Sequence, residues 1–314
     1  MNTVRNYSDE IKQIIETYKS MYENQTLDWV KQQHQHYDNF PNINSNIWDI
    51  IHKLDNIIDE SDPDTNISQI HHAFQTAESI RMRFLNDDNT LKRVPIKMLF
   101  RIREWNSLEP SIKYLYNKSL DQLYPTIQDW SWLPLIGLIH DLGKVMVLKE
   151  FGKLPQWSVV GDTFPVGCPI SPQVVYYDKK FHEHNPDFNE PNYQQDFGIY
   201  NEKIGFNEMF MSWGHDEYMA KVLEKNCDKH CLPSEAIYVI RFHSFYPWHT
   251  PKKGSKRGYT QYANIYDWKM LPLLKMLQLS DLYSKDDAIL NNDKLKEKYQ
   301  KTIEKYFSNQ NLNW

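Results

Sequence analysis

The sequence predicts an all-α helical bundle, and three observations support this. Only ten of the 314 residues are glycine, and strict alternation of apolar and polar residues is scarce, which disfavours β-structure. Apolar residues instead recur at intervals of three or four along most of the chain. The chain is 40% hydrophobic and 14% aromatic, which is typical of a globular protein with enough material for a large core.

The first helices are predicted before residue 60. Ser8 is the expected N-cap of the first helix, because two acidic residues follow it where they meet the positive end of the helix dipole. Helical spacing continues over residues 27–37 and 47–58. The run 59–64 carries four acids, a serine and a proline, which indicates a turn.

The middle of the chain combines a helix, a charged segment and a second helix. Residues 67–84 form the predicted helix, and its neighbours His71 and His72 point about 100° apart, so only one of them is expected on the buried face. Residues 86–130 are charged, aromatic and interrupted by prolines; we expect a surface insertion or a small helical cap with two short helices. Residues 132–149 are predicted to be one apolar helix.

A long irregular region is predicted next. Prolines, glycines and asparagines become frequent over residues 151–205, and two short extended segments are expected at 159–167 and 173–177. A loop of this length inside a domain is usually functional or poorly ordered. The region therefore separates the two helical parts of the chain.

Helical spacing returns in the last third of the chain. Gly214 is expected to cap the C-terminal end of one helix, and the next helix is expected to begin directly after it. Residues 233–242 are expected to form a short apolar segment, and residues 267–285 an amphipathic helix that carries Asp281. The lysine-rich loop between them, including Arg257, is expected to be a solvated surface.

Composition excludes several classes of protein. A net charge of −5 argues against broad attraction to nucleic acid or to an anionic membrane. The apolar runs are shorter than the ~18 residues that a membrane span needs, and no signal peptide opens the sequence. Three cysteines fit a reducing compartment. We therefore expect a cytoplasmic protein, and the absence of repeats or a clear boundary predicts a single domain spanning residues 1–314.

Six potential metal ligands lie in or beside the apolar segments: His72, His140, Asp141, His215, His243 and Asp281. Each alone is more often a satisfied core residue, but a carboxylate on an apolar face, such as Asp281, is costly unless it is paired or coordinates metal. Imidazole and carboxylate together suit iron, manganese or zinc. Six ligands suit two metals bridged by a carboxylate, for which Asp141, next to His140, is placed. Lys144 lies one helical turn after His140 and is predicted to share its face.

These motifs resemble known families. His72, the His140–Asp141 pair and Asp281 resemble the signature of the HD-domain superfamily, so the bundle is expected to be HD-domain-like, with the long irregular region and a helical insertion. Five longer motifs are similar to those of the inositol oxygenase family: HAFQTAE from His72, HDLGK from His140, VGDTFPVGC from Val160, MSWGHDEY from Met211 and IRFHSFYPWHT from Ile240. The similarity runs from Arg5 to Trp314 and leaves out mainly residues 86–130.

The resemblance implies a non-haem di-iron enzyme that cleaves myo-inositol between C1 and C6 with O2 to give D-glucuronate. It implies a mixed-valent Fe(II)/Fe(III) cluster and an iron-bound superoxide that abstracts the C1 hydrogen, with no organic cofactor. One iron would take His72, His140 and Asp281, the other His215 and His243, and Asp141 would bridge them. The implied catalytic residues are Asp141 and Lys144. The implied polyol-binding residues are Arg5, Asp59, Lys144, Gly161, Asp162, His243, Ser244 and Lys285.

Other functions compatible with the sequence stay open. An HD-domain fold can also serve a metal-dependent phosphohydrolase, although Asp59 and Asp162 would repel a phosphate. The same oxygenase chemistry could act on another cyclitol, because the segment 86–130 is longer than the family leads us to expect. A binding protein that keeps the ligands without catalysis is a third possibility. We expect a monomer with a small-molecule polyol substrate and without nucleic-acid or membrane partners.

Overall fold

The computed structural model describes residues 12–38, 43–61, 68–253, 255–281 and 292–314. The predictions for Arg5, Ser8 and Lys285 lie outside these residues. Within them the regular secondary structure is helical apart from one two-stranded sheet, which confirms the all-α prediction. The α-helices are α1 Lys12–Asn24, α2 Leu27–Asp38, α3 Ile47–Lys53, α4 Gln69–Phe84, α5 Ile102–Ser107, α6 Pro110–Leu115, α7 Leu120–Leu123, α8 Trp132–Ile139, α9 His215–Lys225, α10 Ser234–Arg241, α11 Tyr246–His249, α12 Ile265–Asp281 and α13 Asn292–Tyr306.

Three helices form the centre of the molecule. α8 is apolar on all sides and buried along its whole length, as expected of a helix inside a bundle. α4 packs against both α8 and α12. Ser68 is the N-cap of α4, and of its two adjacent histidines only His72 is buried, as predicted. The central helices thereby bring three separate parts of the sequence to one place.

The helix predicted over residues 132–149 is shorter than expected. α8 ends at Ile139, His140 caps it, and residues Leu142–Val147 form a 3₁₀ helix instead. The tighter turn lies where Gly143 approaches the backbone of His215 so closely that an added Cβ would lie 1.9 Å from the His215 carbonyl oxygen. The close approach of α9 therefore accompanies the change of helix type, which apolar spacing alone does not reveal.

Residues 86–130 form a helical cap rather than a loose surface insertion. The predicted two short helices are divided into a 3₁₀ helix at Ile96–Leu99 and α5, α6 and α7. The inner side of the cap includes Leu99, Phe100 and Tyr116, all buried, and the Tyr116 hydroxyl donates a hydrogen bond to the Trp268 carbonyl at 2.6 Å. The cap is thus packed on α12.

Residues 151–205 are irregular, as predicted, but the extended segments expected at 159–167 and 173–177 do not form strands. The region contains short 3₁₀ turns and one isolated antiparallel bridge, between Pro165 and Met211. The valine-rich pattern did not predict the backbone conformation, because Val159, Val160 and Val166 are buried against the core and have no neighbouring strand to pair with.

Two further predictions are corrected by the structure. Gly214 does not cap the C-terminal end of a helix; it is the N-cap residue of α9, in extended backbone, and the first turn of α9 contains Asp216 and Glu217, as predicted. Arg257 is not part of a solvated surface, because its side chain is only 6% exposed and is paired with Glu104. Both errors come from tertiary contacts that local composition does not encode.

A small antiparallel sheet joins distant parts of the chain. β1 Asn44–Asn46 pairs with β2 Asn311–Asn313, with Asn44 opposite Asn313. The indole of Trp314 is buried and donates to the Ser45 carbonyl. Among the helices that the structure describes, none combines the length and apolar character that a membrane span requires.

Candidate metal centre

The six predicted ligands converge on one cleft, together with five further predicted polyol-binding residues: Asp59, Lys144, Gly161, Asp162 and Ser244. The cleft has a volume of about 460 Å³, part of it open to solvent. Its walls are almost entirely polar. They are formed by Asp59, Ser61, His72, His140, Asp141, Lys144, Gly161, Asp162, His215, His243, Ser244, Tyr246 and Asp281.

One side of the cleft contains His72, His140 and Asp281. The Nε2 atom of His72 lies 2.8 Å from Oδ1 of Asp281, and Nε2 of His140 lies 3.5 Å from the same oxygen. His72 comes from the first turns of α4, His140 from the end of α8 and Asp281 from the end of α12. Candidate ligand atoms of these three residues lie within 4.8 Å of one another, close enough to share one metal ion.

The other side contains His215 and His243. Their Nε2 atoms are 3.1 Å apart, and Oδ1 of Asp141 lies 3.3 Å from His215 and 3.6 Å from His243. The second oxygen of Asp141, Oδ2, lies 3.5 Å from Nε2 of His140. The two oxygens of Asp141 therefore face opposite sides of the cleft, which is the arrangement that a bridging carboxylate requires.

Backbone carbonyls fix the tautomer of three of the histidines. Nδ1 of His140 lies 2.9 Å from the Gly137 carbonyl, Nδ1 of His215 2.7 Å from that of Val159, and Nδ1 of His243 2.6 Å from that of Ile240. A carbonyl oxygen can only accept, so each Nδ1 carries the hydrogen and each Nε2 of the neutral ring presents a lone pair. Such outer hydrogen bonds commonly orient metal-binding histidines.

These lone pairs face one another and the carboxylates, which is unfavourable unless a cation lies among them. Nε2 of His215 faces Nε2 of His243 at 3.1 Å, and both face Oδ1 of Asp141. The hydroxyl of Ser244, 3.3 Å from Nε2 of His215, can donate to that one atom only. A proton on one ring would turn one of these repulsive contacts into a hydrogen bond and leave the others unfavourable. One metal ion on each side of Asp141 would instead accept all of these lone pairs. The donor set of imidazoles and carboxylates fits iron.

His72 is held differently from the other three histidines. Its Nδ1 is buried and has no hydrogen-bond partner among the described residues. The ring is therefore held on the Nε2 side, where Asp281 lies.

Lys144 connects the metal ligands to the rest of the cleft. Its Nζ lies 2.9 Å from Oδ2 of Asp141 and 2.9 Å from Oδ2 of Asp59, and it donates to the side-chain oxygen of Gln69 at 3.3 Å. Burial lowers the pKa of the Lys144 ammonium, but the two carboxylates outweigh burial and raise the pKa above its usual value. Lys144 is therefore a positively charged hydrogen-bond donor and not a base.

Asp59 and Asp141 stay ionised beside that ammonium. Burial raises the pKa of the Asp59 carboxyl, but the charge of Lys144 and hydrogen bonds from Lys144 and Ser61 prevail and lower it to about 2. Burial also raises the pKa of the Asp141 carboxyl, while His140 and Lys144 together hold it well below its usual range. The cleft thus holds compensated charges rather than one sign.

The other described polyol-binding predictions also line the cleft. Asp162 accepts a hydrogen bond from the Tyr18 hydroxyl at 2.8 Å, so α1 holds its carboxylate. Gly161 has a φ of +95°, a left-handed conformation that a residue with a Cβ adopts only with strain. Ser244 follows His243 directly in the turn between α10 and α11. Arg5 and Lys285 lie outside the described residues.

Sequence reasoning missed four residues at the site: Ser61, Gln69, Tyr18 and Tyr246. Ser61 was visible only as part of an acidic turn, and Gln69 opens α4 without any distinguishing spacing. Tyr18 falls in the apolar repeat of α1, where it looks like an ordinary core residue. The aromatic ring of Tyr246 lines the cleft beside Ser244, and only its position in a motif with His243 could have indicated this.

Comparison with known proteins gives a consistent result. The family model described as myo-inositol oxygenase matches residues 11–95 and 107–314. The unmatched residues 96–106 fall inside the cap.

Several curated proteins are similar over most of their length. The chain is 39% identical to an inositol oxygenase of Dictyostelium discoideum over 311 residues, which covers 99% of this chain and 89% of the relative. It is 38% identical to the human inositol oxygenase, covering 96% and 88% of the two chains. Inositol oxygenase 5 of Arabidopsis thaliana is 38% identical, with 98% and 81% covered.

Proposed function

Because this chain belongs to the myo-inositol oxygenase family, we propose that it is an inositol oxygenase that cleaves the ring of myo-inositol between C1 and C6. The balanced reaction converts one myo-inositol and one O2 into one D-glucuronate, one water and one proton. The observation that carries the proposal is the convergence of imidazole lone pairs and carboxylate oxygens on both sides of Asp141. Two cations, one on each side of Asp141, would satisfy these lone pairs and carboxylate oxygens together.

We assign one iron to His72, His140 and Asp281 and the other to His215 and His243, with Asp141 as the bridge. The short distances within each group and the opposed oxygens of Asp141 support this division. When bound, the irons, as an Fe(II)/Fe(III) pair, would supply the redox chemistry with O2. The carbonyl partners of His140, His215 and His243 hold those rings with Nε2 turned toward the cleft.

The chain's own residues recognise the substrate. Myo-inositol is neutral and carries six hydroxyl groups, so its site needs paired donors and acceptors and little apolar wall. Lys144 donates, Asp59 and Asp162 accept, and Ser244 can do both. Because Lys144 is paired with two carboxylates, the cleft can bind a neutral polyol without leaving a charge unpaired. We retain Arg5 and Lys285 as proposed substrate contacts on the family resemblance alone.

Lys144 also limits the proton chemistry available at the site. Its pKa is raised, so its ammonium stays charged and can hydrogen-bond a substrate oxygen as that oxygen gains negative charge. Asp141 is already ionised and paired with Lys144, so it orients and bridges rather than accepting a proton. A base for the substrate hydroxyl would therefore have to be a group other than Lys144 or Asp141.

We propose one HD-domain-like domain over residues 1–314, with residues 86–130 as an inserted helical cap. Buried apolar residues from all the described parts of the chain belong to one continuous core, which supports a single domain. Cys168, Cys227 and Cys231 are free thiols, which supports the proposed cytoplasmic location, and we propose a monomer on the family resemblance alone.

The function is tested by measuring O2 uptake by anaerobically purified, iron-loaded protein. We expect O2 consumption with myo-inositol in a one-to-one ratio to D-glucuronate, and close to two irons per chain. Faster turnover of another inositol isomer would change the assigned substrate but keep the chemistry. Phosphate release from nucleotides without O2 uptake would contradict the proposal and favour a phosphohydrolase.

A matched pair of variants links this activity to the bridge. Asp141→Ala should abolish inositol-dependent O2 uptake, because no other carboxylate among the described residues faces both sides of the cleft. Asp49→Ala removes an exposed aspartate on α3 and should leave uptake unchanged. Full activity of the Asp141→Ala protein would show that the bridge is assigned wrongly.

A further inference from the structure

Residues 96–106, which the family model does not match, contain a buried ionic cluster around Glu104. The Glu104 carboxylate lies 2.8 Å from Nε of Arg101, 3.3 Å from Nη2 of Arg257 and 3.3 Å from Nζ of Lys275. The side chains of Glu104, Arg257 and Lys275 are 5%, 6% and 3% exposed. One buried carboxylate therefore pairs with three cationic side chains, two of which, Arg257 and Lys275, are buried with it.

Arg257 extends this cluster to the segment that follows α10. Its Nη1 donates a hydrogen bond to the carbonyl oxygen of Trp248. Its guanidinium also lies over the Trp248 ring, with its carbon 5.3 Å from the ring centroid. Trp248 is completely buried in α11, so Arg257 holds that short helix through both its backbone and its ring.

α11 in turn is bonded to His243. Nε2 of His249 lies 2.8 Å from the His243 carbonyl, which can only accept, so Nε2 donates and Nδ1 accepts from the hydroxyl of Thr250 at 2.9 Å. His249 is completely buried, so this bond is shielded from water. A continuous series of contacts thus runs from Glu104 through Arg257 and α11 to the backbone of His243.

We propose that Glu104, acting through Arg257, is a positioning residue for His243 and for Ser244 beside it. The proposal rests on the metal centre described under the proposed function. His243 follows the end of α10 on a turn, and α11, which helps to hold that turn, has only four residues. The cap therefore contributes to the metal centre itself, although none of its residues lines the cleft.

Removing the charge of Glu104 should affect His243, at the other end of this series of contacts. In Glu104→Gln the shape is kept, but Arg257 and Lys275 become buried cations without a carboxylate, and the more exposed Arg101 also loses its partner. Arg257 would then move toward water and release the Trp248 carbonyl. The turn that carries His243 would then adopt more conformations in the metal-free protein. Metal binding would have to order this turn, which lowers the affinity for the metal.

The test is a Co(II) titration at 20 °C, followed by the visible absorption of the bound metal, in the metal-free full-length protein. We expect two Co(II) sites in the parent protein. In Glu104→Gln one of them should weaken by about 3–10-fold, less than the 10–100-fold typical of a direct outer-shell partner. Arg257→Lys keeps the charge but loses the planar fork, so it should weaken the same site, and the double variant should lose no more than either single one.

Two control variants separate positioning from general destabilisation. Lys275→Met disturbs the same cluster without a hydrogen bond to α11 and should leave both Co(II) affinities unchanged. Glu78→Gln breaks another group of ion pairs, in which a largely buried carboxylate meets the more exposed Arg81 and Lys298, and should lower the thermal midpoint without changing Co(II) affinity.

Each outcome decides a different question. If the parent protein binds fewer than two Co(II) ions, the proposed metal centre fails. If it binds two and Glu104→Gln binds both as tightly, the positioning role is wrong. Equal weakening in Glu78→Gln would also overturn it, because the effect would then be global. If Glu104→Gln does not fold, Arg257→Lys alone decides the proposal.

Discussion

Lys144 shows how one side chain can connect a metal bridge to a polyol site. Replacing it in Lys144→Met leaves Asp59 and Asp141 as buried carboxylates without their shared cation. We expect both irons to bind, because no metal ligand is removed, while kcat/KM for inositol falls about 10–100-fold, as a lost charged hydrogen bond predicts. Iron content and O2 uptake measure the two effects. Lys149→Met, an exposed lysine in the same region, is the matched control, and equal activity of both variants would contradict the role of Lys144.

At the level of single residues, the sequence predicted which six candidate ligands come together in the cleft. It did not predict how their side chains are oriented there. His72, His140 and Asp281 stood out because charged or ligating groups on apolar segments are unusual. The direction of each ring depends on carbonyls from elsewhere in the chain, such as Val159 for His215, and no local pattern predicts those. Tyr18, which holds Asp162, was missed because a tyrosine in an apolar repeat carries no signal of its second partner.

At the level of elements, the end of α8 depends on Gly143. A Cβ at this position would lie 1.9 Å from the His215 carbonyl oxygen and 2.7 Å from its carbon, both backbone atoms that cannot rotate away. Gly143→Ala should therefore separate the 3₁₀ helix from α9 and lower the free energy of unfolding by about 1–3 kcal/mol, the usual cost of overpacking. It should also weaken metal binding, because His215 begins α9.

Urea unfolding and iron content test this prediction. Lys149→Ala, at an exposed position of the next 3₁₀ turn, controls for the added alanine. A Gly143→Ala protein as stable as this control, with both irons, would show that the close approach is not required.

Helices were predictable wherever one face is apolar, as in α1, α4, α10 and α12, because burial produces that pattern directly. Segments whose conformation depends on partners far away in the sequence were not predictable in this way. Arg257 looked like part of a solvated loop because its partner Glu104 lies 153 residues earlier in the sequence. β1 and β2 have only three residues each, which is too short for an alternation of apolar and polar residues to be recognised in the sequence.

At the scale of the whole molecule, the buried Asp59 carboxylate makes the free energy of unfolding depend on pH. The pKa of Asp59 is about 2 in the folded protein and 3.8 ordinarily, so between these values the unfolded chain binds the proton more readily. The contribution of Asp59 is therefore complete above pH 3.8 and is lost as pH falls toward 2. The shift corresponds to about 2 kcal/mol. We expect Asp59→Asn to lower the free energy of unfolding of the metal-free protein by about this amount at pH 6 and by progressively less below pH 4. Chemical unfolding of both proteins over this range measures the difference, and a difference that stays constant would mean that the ion pair with Lys144 does not stabilise the fold.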